Sequence, residues 1–262
     1  MRGANTAPRW PRPSSNIPLP VSLLSAALDL LLPRSCVACD RLMGRLDAGV
    51  VCGLCWSRVA VLPAPSCDRC GHPLRGNVCR WCELLPPFVR AVRSVCWMPV
   101  EPVSSIVHAL KYEGWSVIAS ELAERMSRLS WPGDVVAERT ALVPVPLASA
   151  RKRQRGYNQS ALIARELGKK WRLPVWEDVV VRTRETETQT RLTPEERRAN
   201  VAGSFCMAGE AQKLAGAHVL IVDDVVTTAA TLNSCAKVLY EAGARIISYV
   251  TFGRAHASGD RL

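Results

Sequence analysis

Eight of the eleven cysteines fall in four C-x-x-C pairs: Cys36/Cys39, Cys52/Cys55, Cys67/Cys70 and Cys79/Cys82. A C-x-x-C turn offers two thiolates to one tetrahedral ion, and two such turns complete a four-cysteine site of the structural zinc type. Four pairs make two sites. Sequential pairing assigns Cys36, Cys39, Cys52 and Cys55 to one Zn²⁺ and Cys67, Cys70, Cys79 and Cys82 to the other; spacing leaves crossed pairing open. The C-x-x-C-x-x-C run of ferredoxins is absent, and no export signal favours a disulfide framework. Four thiolates saturate the ion, so the module is expected to be a scaffold or a partner or nucleic-acid contact, without metal catalysis. His72 reads as a surface histidine, and Cys96, Cys206 and Cys235 as small core residues.

A second constellation lies in "HVLIVDDVVTTAATL", His218 to Leu232. Val219 to Val222 are apolar on both faces, as a central parallel strand covered by helices must be. Asp223 and Asp224 follow at its carboxyl end, where α/β sheets bind ligands. The stretch from Val225 to Thr231 reads as a strand-to-helix loop whose small side chains leave amides open to an anion at a helix N-terminus. Amides for a phosphate and acids for ribose hydroxyls together suit a phosphorylated sugar. A Walker B reading lacks its upstream G-x-x-x-x-G-K-[ST] loop. A receiver-domain reading needs the acids near the domain start, whereas these lie near its end.

The elements that must position these residues are legible from about Arg90 onward. "AVRSVCW" reads as a strand, "VSSIVHALKY" and "SVIASELAERMSRL" as amphipathic helices, and "ALVPVPL" as a short strand that its prolines force out of the sheet. "ASARKRQRGYNQ" then reads as a basic loop and "SALIARELGKKW" as the next helix. After the acids, Leu232, Cys235, Ala236, Leu239 and Tyr240 keep helical spacing up to a cap at Gly243, and "RIISYVTF" closes a β-α-β unit.

Ahead of this domain, residues 1–20 are Pro-rich and read as a disordered tail, and 21–33 as an amphipathic helix ended by Pro33. Asp29 interrupts the apolar run, so a signal peptide is not expected. Residues 34–84 form the double ribbon, 88–254 the α/β domain and 255–262 a tail. No membrane span and a cytoplasmic location are expected. The net charge of +11 favours anionic partners such as nucleic acid, nucleotide or phosphate.

With these motifs in hand the chain resembles the ComF/GntX family of type I phosphoribosyltransferase-fold proteins. The likeness runs from about Leu28 to Arg254 and includes the ribbon, "HALKYEG", "LVPVPL" leading into "RQRGYNQ", "TETQTRLTPEERRANVAGSF" and "VLIVDDVVTTAATL". It implies a parallel sheet flanked by helices, preceded by the double zinc ribbon. It also implies binding of 5-phosphoribosyl-1-pyrophosphate (PRPP) with Mg²⁺. Asp223 and Asp224, the catalytic candidates, would meet the ribose hydroxyls directly or through Mg²⁺. Thr227, Thr228, Ala229, Ala230 and Thr231 would enclose the 5-phosphate. Lys111, Arg151, Arg155, Arg184, Gln189 and Arg191 are pyrophosphate or hood candidates. "TPEERRAN" also fits a plain capped helix start, with Thr193 as N-cap.

The family usually has glycine where this chain has Ala229. Alanine is harmless there if φ is helical and costs affinity if φ is positive; as the smallest side chain available it is read as retaining binding. Function divides three ways. In the first, which the resemblance implies, the chain would displace pyrophosphate from PRPP as a glycosyltransferase linked to uptake of single-stranded DNA in natural transformation. Alternatively it binds single strands without catalysis, through basic residues near Gly156 and Tyr157 with Trp171 and Trp176 stacking or lying in the core. Or it is an adaptor whose ribbons recruit a competence helicase or transport protein.

Overall fold

A computed structural model describes residues 34–44, 47–74, 79–183 and 203–256. The expected tail at 1–20 and helix at 21–33, most of the tail at 255–262, the hood candidates Arg184, Gln189 and Arg191, and the Thr193 cap lie outside the described residues. Ser35–Leu262 forms one compact unit, ribbons and α/β domain together.

After a short ribbon helix α1 (Gly53–Ser57), the chain runs β1 (Val89–Met98), α2 (Val103–Tyr112), α3 (Ile118–Met126), α4 (Gly133–Glu138) and β2 (Arg139–Pro144). It continues through α5 (Ser149–Arg155), α6 (Gln159–Trp171), β3 (Val180–Arg182), β4 (Phe205–Met207), β5 (His218–Val226), α7 (Ala230–Glu241) and β6 (Ile246–Ala255). Four strands make a sheet of order β1-β6-β5-β2 with every pairing parallel, while β3 and β4 form a separate antiparallel pair. The most continuously buried strands, β5 and β6, take the centre, where each is paired on both sides. Strand β2 is at the edge, where its terminal proline is tolerated. Alternate residues feed two cores: Leu220, Val222, Val250 and Phe252 face α3 and α6, while Val219, Ile221, Ile247 and Tyr249 face α7.

Two local readings need correction. The basic segment expected as a loop is the helix α5, closed by Gly156 at φ 79°. Its Arg, Lys and Gln residues are good helix formers, and a left-handed glycine is an ordinary helix stop. Strand β5 runs on through both acids to Val226, so the connecting loop is shorter than expected, from Thr227 to Ala229.

The ribbons fold as a repeat. Ser35 bridges Leu42 and Ser66 bridges Pro73 across matching C-x-x-C turns. The residue after each second cysteine, Asp40 and Gly71, has positive φ. At Gly71 a Cβ would meet the Val92 carbonyl oxygen at 2.4 Å, so only glycine fits. Aspartate, at the equivalent position 40, is among the residue types that tolerate this conformation.

Each ribbon packs into one of the two cores, Cys36, Val51, Cys52 and Cys55 in the first, Cys70 and Trp81 in the second. Glu121 of α3 accepts from the Val50 N–H at 3.0 Å and from the Trp56 indole at 2.8 Å. Arg69 donates to the Pro86 and Val89 carbonyls, and the buried Arg254 donates to the Cys70 carbonyl. His72 is half-buried and stacks on Trp81, with Trp97 edge-on, which corrects its reading as a surface residue. Cys96 and Cys235 are buried as expected, but Cys206 on β4 is exposed, because strand alternation turns it away from the second core that its neighbour Phe205 enters.

Candidate phosphosugar site and zinc centres

The sheet places the acid pair just beyond the end of β2, where β5 is paired on one side only, to β6. Asp223 and Asp224 are 9% and 3% exposed. The Ser160 hydroxyl, in the first turn of α6, donates to Asp223 Oδ1 at 2.8 Å, and the Asp224 N–H donates to the same oxygen at 2.9 Å. Burial and then the neighbouring Asp224 charge push the Asp223 carboxyl up to about 7, against the pull of the Ser160 bond. Lys111, from the last turn of α2, sets its Nζ 2.6 Å from Asp224 Oδ2. Burial lowers the Lys111 pKa, but the Asp224 charge and hydrogen bond outweigh it, so the ammonium is held above its usual range.

These groups open on a cavity of about 590 Å³. Helix α5 turns Arg151, Gln154 and Arg155 into it, the i, i+3, i+4 spacing of one helical face. Lys152 lines a neighbouring cavity of about 360 Å³ instead, and Arg153 is exposed. Arg155 also lies over the Tyr112 ring, 4.7 Å from its centroid.

The loop candidates divide. Thr227, Ala229, Ala230 and Thr231 line the cavity, whereas Thr228 is half-buried and is not among its lining residues. Ala229 is the N-cap of α7 with φ 59° and ψ 4°, the left-handed region. The glycine-to-alanine departure therefore falls on the backbone conformation that alanine resists. No side chain caps α7, and its first-turn N–H groups begin at the cavity wall.

The sequence did not single out Ser160, Gln154, Gln159 or Arg182, all of which line the cavity. Ser160 had a signal, since Asn158 caps α6 and fixes the first turn, its side chain accepting from the Ser160 N–H at 3.1 Å and donating to the Val145 carbonyl at 3.0 Å. Arg182 had none. Trp171 and Trp176 offer no stacking platform at this cavity. Trp171 packs against Trp131 and donates to the Ser127 carbonyl, and Trp176 is packed against the second core.

The cysteines gather as Cys36, Cys39, Cys52 and Cys55, and as Cys67, Cys70, Cys79 and Cys82, which settles the sequential pairing left open by spacing. In the first set Cys36 and Cys55 sulfurs lie 3.8 Å apart and Cys39 and Cys52 sulfurs 3.9 Å. A tetrahedron with zinc–sulfur bonds of about 2.3 Å has edges of about 3.8 Å. The second set is tighter, at 3.4 and 3.2 Å. Burial and then adjacent sulfurs push the Cys55 and Cys70 thiols well up, so four thiolates at this spacing call for a cation. Both sets fit structural zinc.

Fold and site together define a protein that joins a double zinc ribbon to a phosphoribosyltransferase-type α/β domain. Residues 27–84 match the double zinc ribbon domain and residues 117–261 the phosphoribosyl transferase domain. The DNA utilization protein YhgH of Escherichia coli strain K12 is 33% identical over 229 residues, covering 83% of this chain and 96% of that protein. Competence protein F of Haemophilus influenzae is 31% identical over 201 residues, covering 73% and 85%. The solved glutamine PRPP amidotransferase of Bacillus subtilis, complexed with ADP and GMP, overlays with a TM-score of 0.35 at 16% identity. That overlay covers 51% of this chain and 25% of the amidotransferase. The chain belongs to the ComF/GntX family.

Among the described residues no helix is long and apolar enough to cross a membrane.

Proposed function

We propose that the chain binds PRPP with Mg²⁺ in the 590 Å³ cavity and serves DNA uptake or use in the cytoplasm. The observation that carries this reading is the meeting of three kinds of group at one cavity: the acid pair Asp223 and Asp224, the uncapped start of α7, and Lys111, Arg151 and Arg155. Vicinal ribose hydroxyls donate to the carboxylates, the 5-phosphate takes the amides and hydroxyls around Thr227 to Thr231, and the pyrophosphate takes the cations. Mg²⁺, when bound, would neutralise charge gathering on the departing pyrophosphate. The chain's own part is to hold the anomeric carbon exposed and to oppose the positive ribosyl charge with the buried acids. The link to DNA rests on the names of the E. coli and H. influenzae relatives.

A second reading, binding of single-stranded nucleic acid without turnover, has its own support. Lys152 and Arg153 of α5 are exposed beside the cavity helix face, and Tyr112 and Trp115 are 61% and 41% exposed aromatics in the α2–α3 region. The ribbons, by contrast, share the cores of the α/β domain, which supports a scaffold role more than a detachable recruiting one.

Isothermal titration of zinc-loaded protein with PRPP, with and without Mg²⁺, tests the first reading. Mg²⁺-dependent binding that disappears in Asp223→Asn/Asp224→Asn is expected. No binding by the wild-type chain sinks it and leaves the nucleic-acid reading.

A further inference from the structure

Lys111 marks the point where the free and the liganded site must differ. Its ammonium contacts Asp224 Oδ2 at 2.6 Å, with the lysine side chain 23% exposed and the aspartate side chain 5%. Asp223 meanwhile has Oδ1 committed to the Ser160 hydroxyl and the Asp224 N–H. One carboxylate oxygen of Asp224, the acid a ribose hydroxyl or a divalent ion would seek, is thus already held by a cation of the protein itself. Helix α2 anchors the base of that side chain, since Ile106, Val107 and Leu110 are buried in the first core and the Tyr157 hydroxyl donates to the Leu110 carbonyl, while the flexible stem leaves the ammonium free to swing. Lys111 also lies ahead of residues 117–261, the segment matching the phosphoribosyl transferase domain. Its position comes from the β1–α2 unit.

Resting on the phosphosugar reading, we propose that Lys111 is a gate: a resident cation that closes Asp224 to a free divalent ion. It yields only to a ligand with hydroxyls for Asp224 and an anionic group for the displaced ammonium. Charge balance gives the reason. A free ion at Asp224 repels the ammonium and offers it nothing in return, and a neutral sugar leaves it equally unpaired. A ribosyl pyrophosphate replaces one ion pair by another, so the exchange is selective for a sugar carrying hydroxyls and a nearby anion. Lys111 is therefore a specificity residue of the site.

The test uses full-length, zinc-loaded protein titrated with Mn²⁺ alone, with free Mn²⁺ followed by electron paramagnetic resonance. Carboxylates suit Mn²⁺, whereas the thiolate sites hold their zinc. Lys111→Met and Lys111→Gln are expected to bind Mn²⁺ about tenfold or more tighter than wild type, since one opposing charge is gone. Adding Asp224→Asn to either should return the affinity to the wild-type level. Lys111→Gln retains a hydrogen-bond donor for Asp224, so it serves where the apolar variant misfolds. Equal Mn²⁺ affinity in wild type and Lys111→Gln overturns the gate. PRPP titration of the same proteins separates the two ideas. If PRPP fails to bind the wild type while the Mn²⁺ difference stands, the phosphosugar reading falls and Lys111 remains the cation that excludes metal. If PRPP binds and the Mn²⁺ difference is absent, the gate alone falls.

Discussion

The Ser160 hydroxyl donates to Asp223 Oδ1 at 2.8 Å, joining the first turn of α6 to the end of β5. This bond and a second one from the Asp224 N–H do not offset the burial of the Asp223 carboxylate beside another acid. Burial and Asp224 push Asp223 from 3.8 up to about 7. Between those values the folded chain holds a proton that the unfolded chain has lost, so stability falls as pH rises through this window, and the penalty is complete above about 7. Asp223→Asn should accordingly raise the melting temperature at pH 8, reflecting a gain on the order of a few kcal/mol at most, and raise it much less at pH 5. Scanning calorimetry at both pH values decides. An equal gain at pH 5 and pH 8 would assign the effect to packing.

Ala229 carries a second cost. At φ 59° its Cβ crowds the backbone, a conformation worth about 1 kcal/mol to relieve with glycine even after the added freedom of the unfolded chain is counted. Ala229→Gly should raise the melting temperature by roughly 2–4 °C for a chain of this size. Ala229→Val, branched at Cβ, should lower it. If Ala229→Gly leaves the melting point unchanged or lowers it, the loop does not hold this conformation in solution.

The ribbons should prove inseparable from the domain behind them. Cys36, Val51, Cys52 and Cys55 fill one core and Cys70 and Trp81 the other, and Glu121 holds the first ribbon by the Val50 N–H and the Trp56 indole. A chain starting at Leu85 exposes both surfaces at once, so it should be recovered insoluble. Chelation of zinc from the full chain should cause a cooperative loss of helix signal in circular dichroism, since these small modules draw folding energy from their metal. A soluble 85–262 chain that keeps its native helix signal would restore the adaptor reading, in which ribbons recruit and the domain folds alone.

How far these features could be read from the chain depended on whether their cause was local. The C-x-x-C pairs and the apolar run before Asp223 are local patterns, and both were legible. The pairing of the cysteines was settled by folding, which brings Cys36 to Cys55 and Cys67 to Cys82. Four cations in five residues read as a solvated loop, although straight-chain residues before a glycine stop also make a good helix, as they do in α5. Its division into an inward Arg151 and Arg155 and an outward Arg153 depends on that helical phase. The contacts of Asp223 with Ser160 and of Asp224 with Lys111 span 63 residues in the first case and join separate helices to one strand, so no sequence window contains them. The positive φ of Ala229 is a property of the loop's path, visible only once β5 and α7 are placed.

The same helical phase gives a way to set the two readings of function against each other. Arg151 and Arg155 face the cavity, whereas Lys152 lines the next cavity and Arg153 is exposed. If the site holds PRPP, Arg151→Ala/Arg155→Ala should weaken PRPP binding about tenfold or more, as removal of charge-assisted hydrogen bonds to a phosphate does. Lys152→Ala/Arg153→Ala should then leave PRPP affinity nearly unchanged. If the chain also binds single-stranded DNA along the outer face, this second pair should weaken that binding and shallow its dependence on log salt by about 0.7 for each phosphate no longer neutralised. Titrations of both variants with PRPP and with a fluorescent oligonucleotide over a salt series check this. Should the outer pair change neither ligand and the inner pair weaken both, the two ligands share one site, and nucleic acid competes for the phosphosugar cavity.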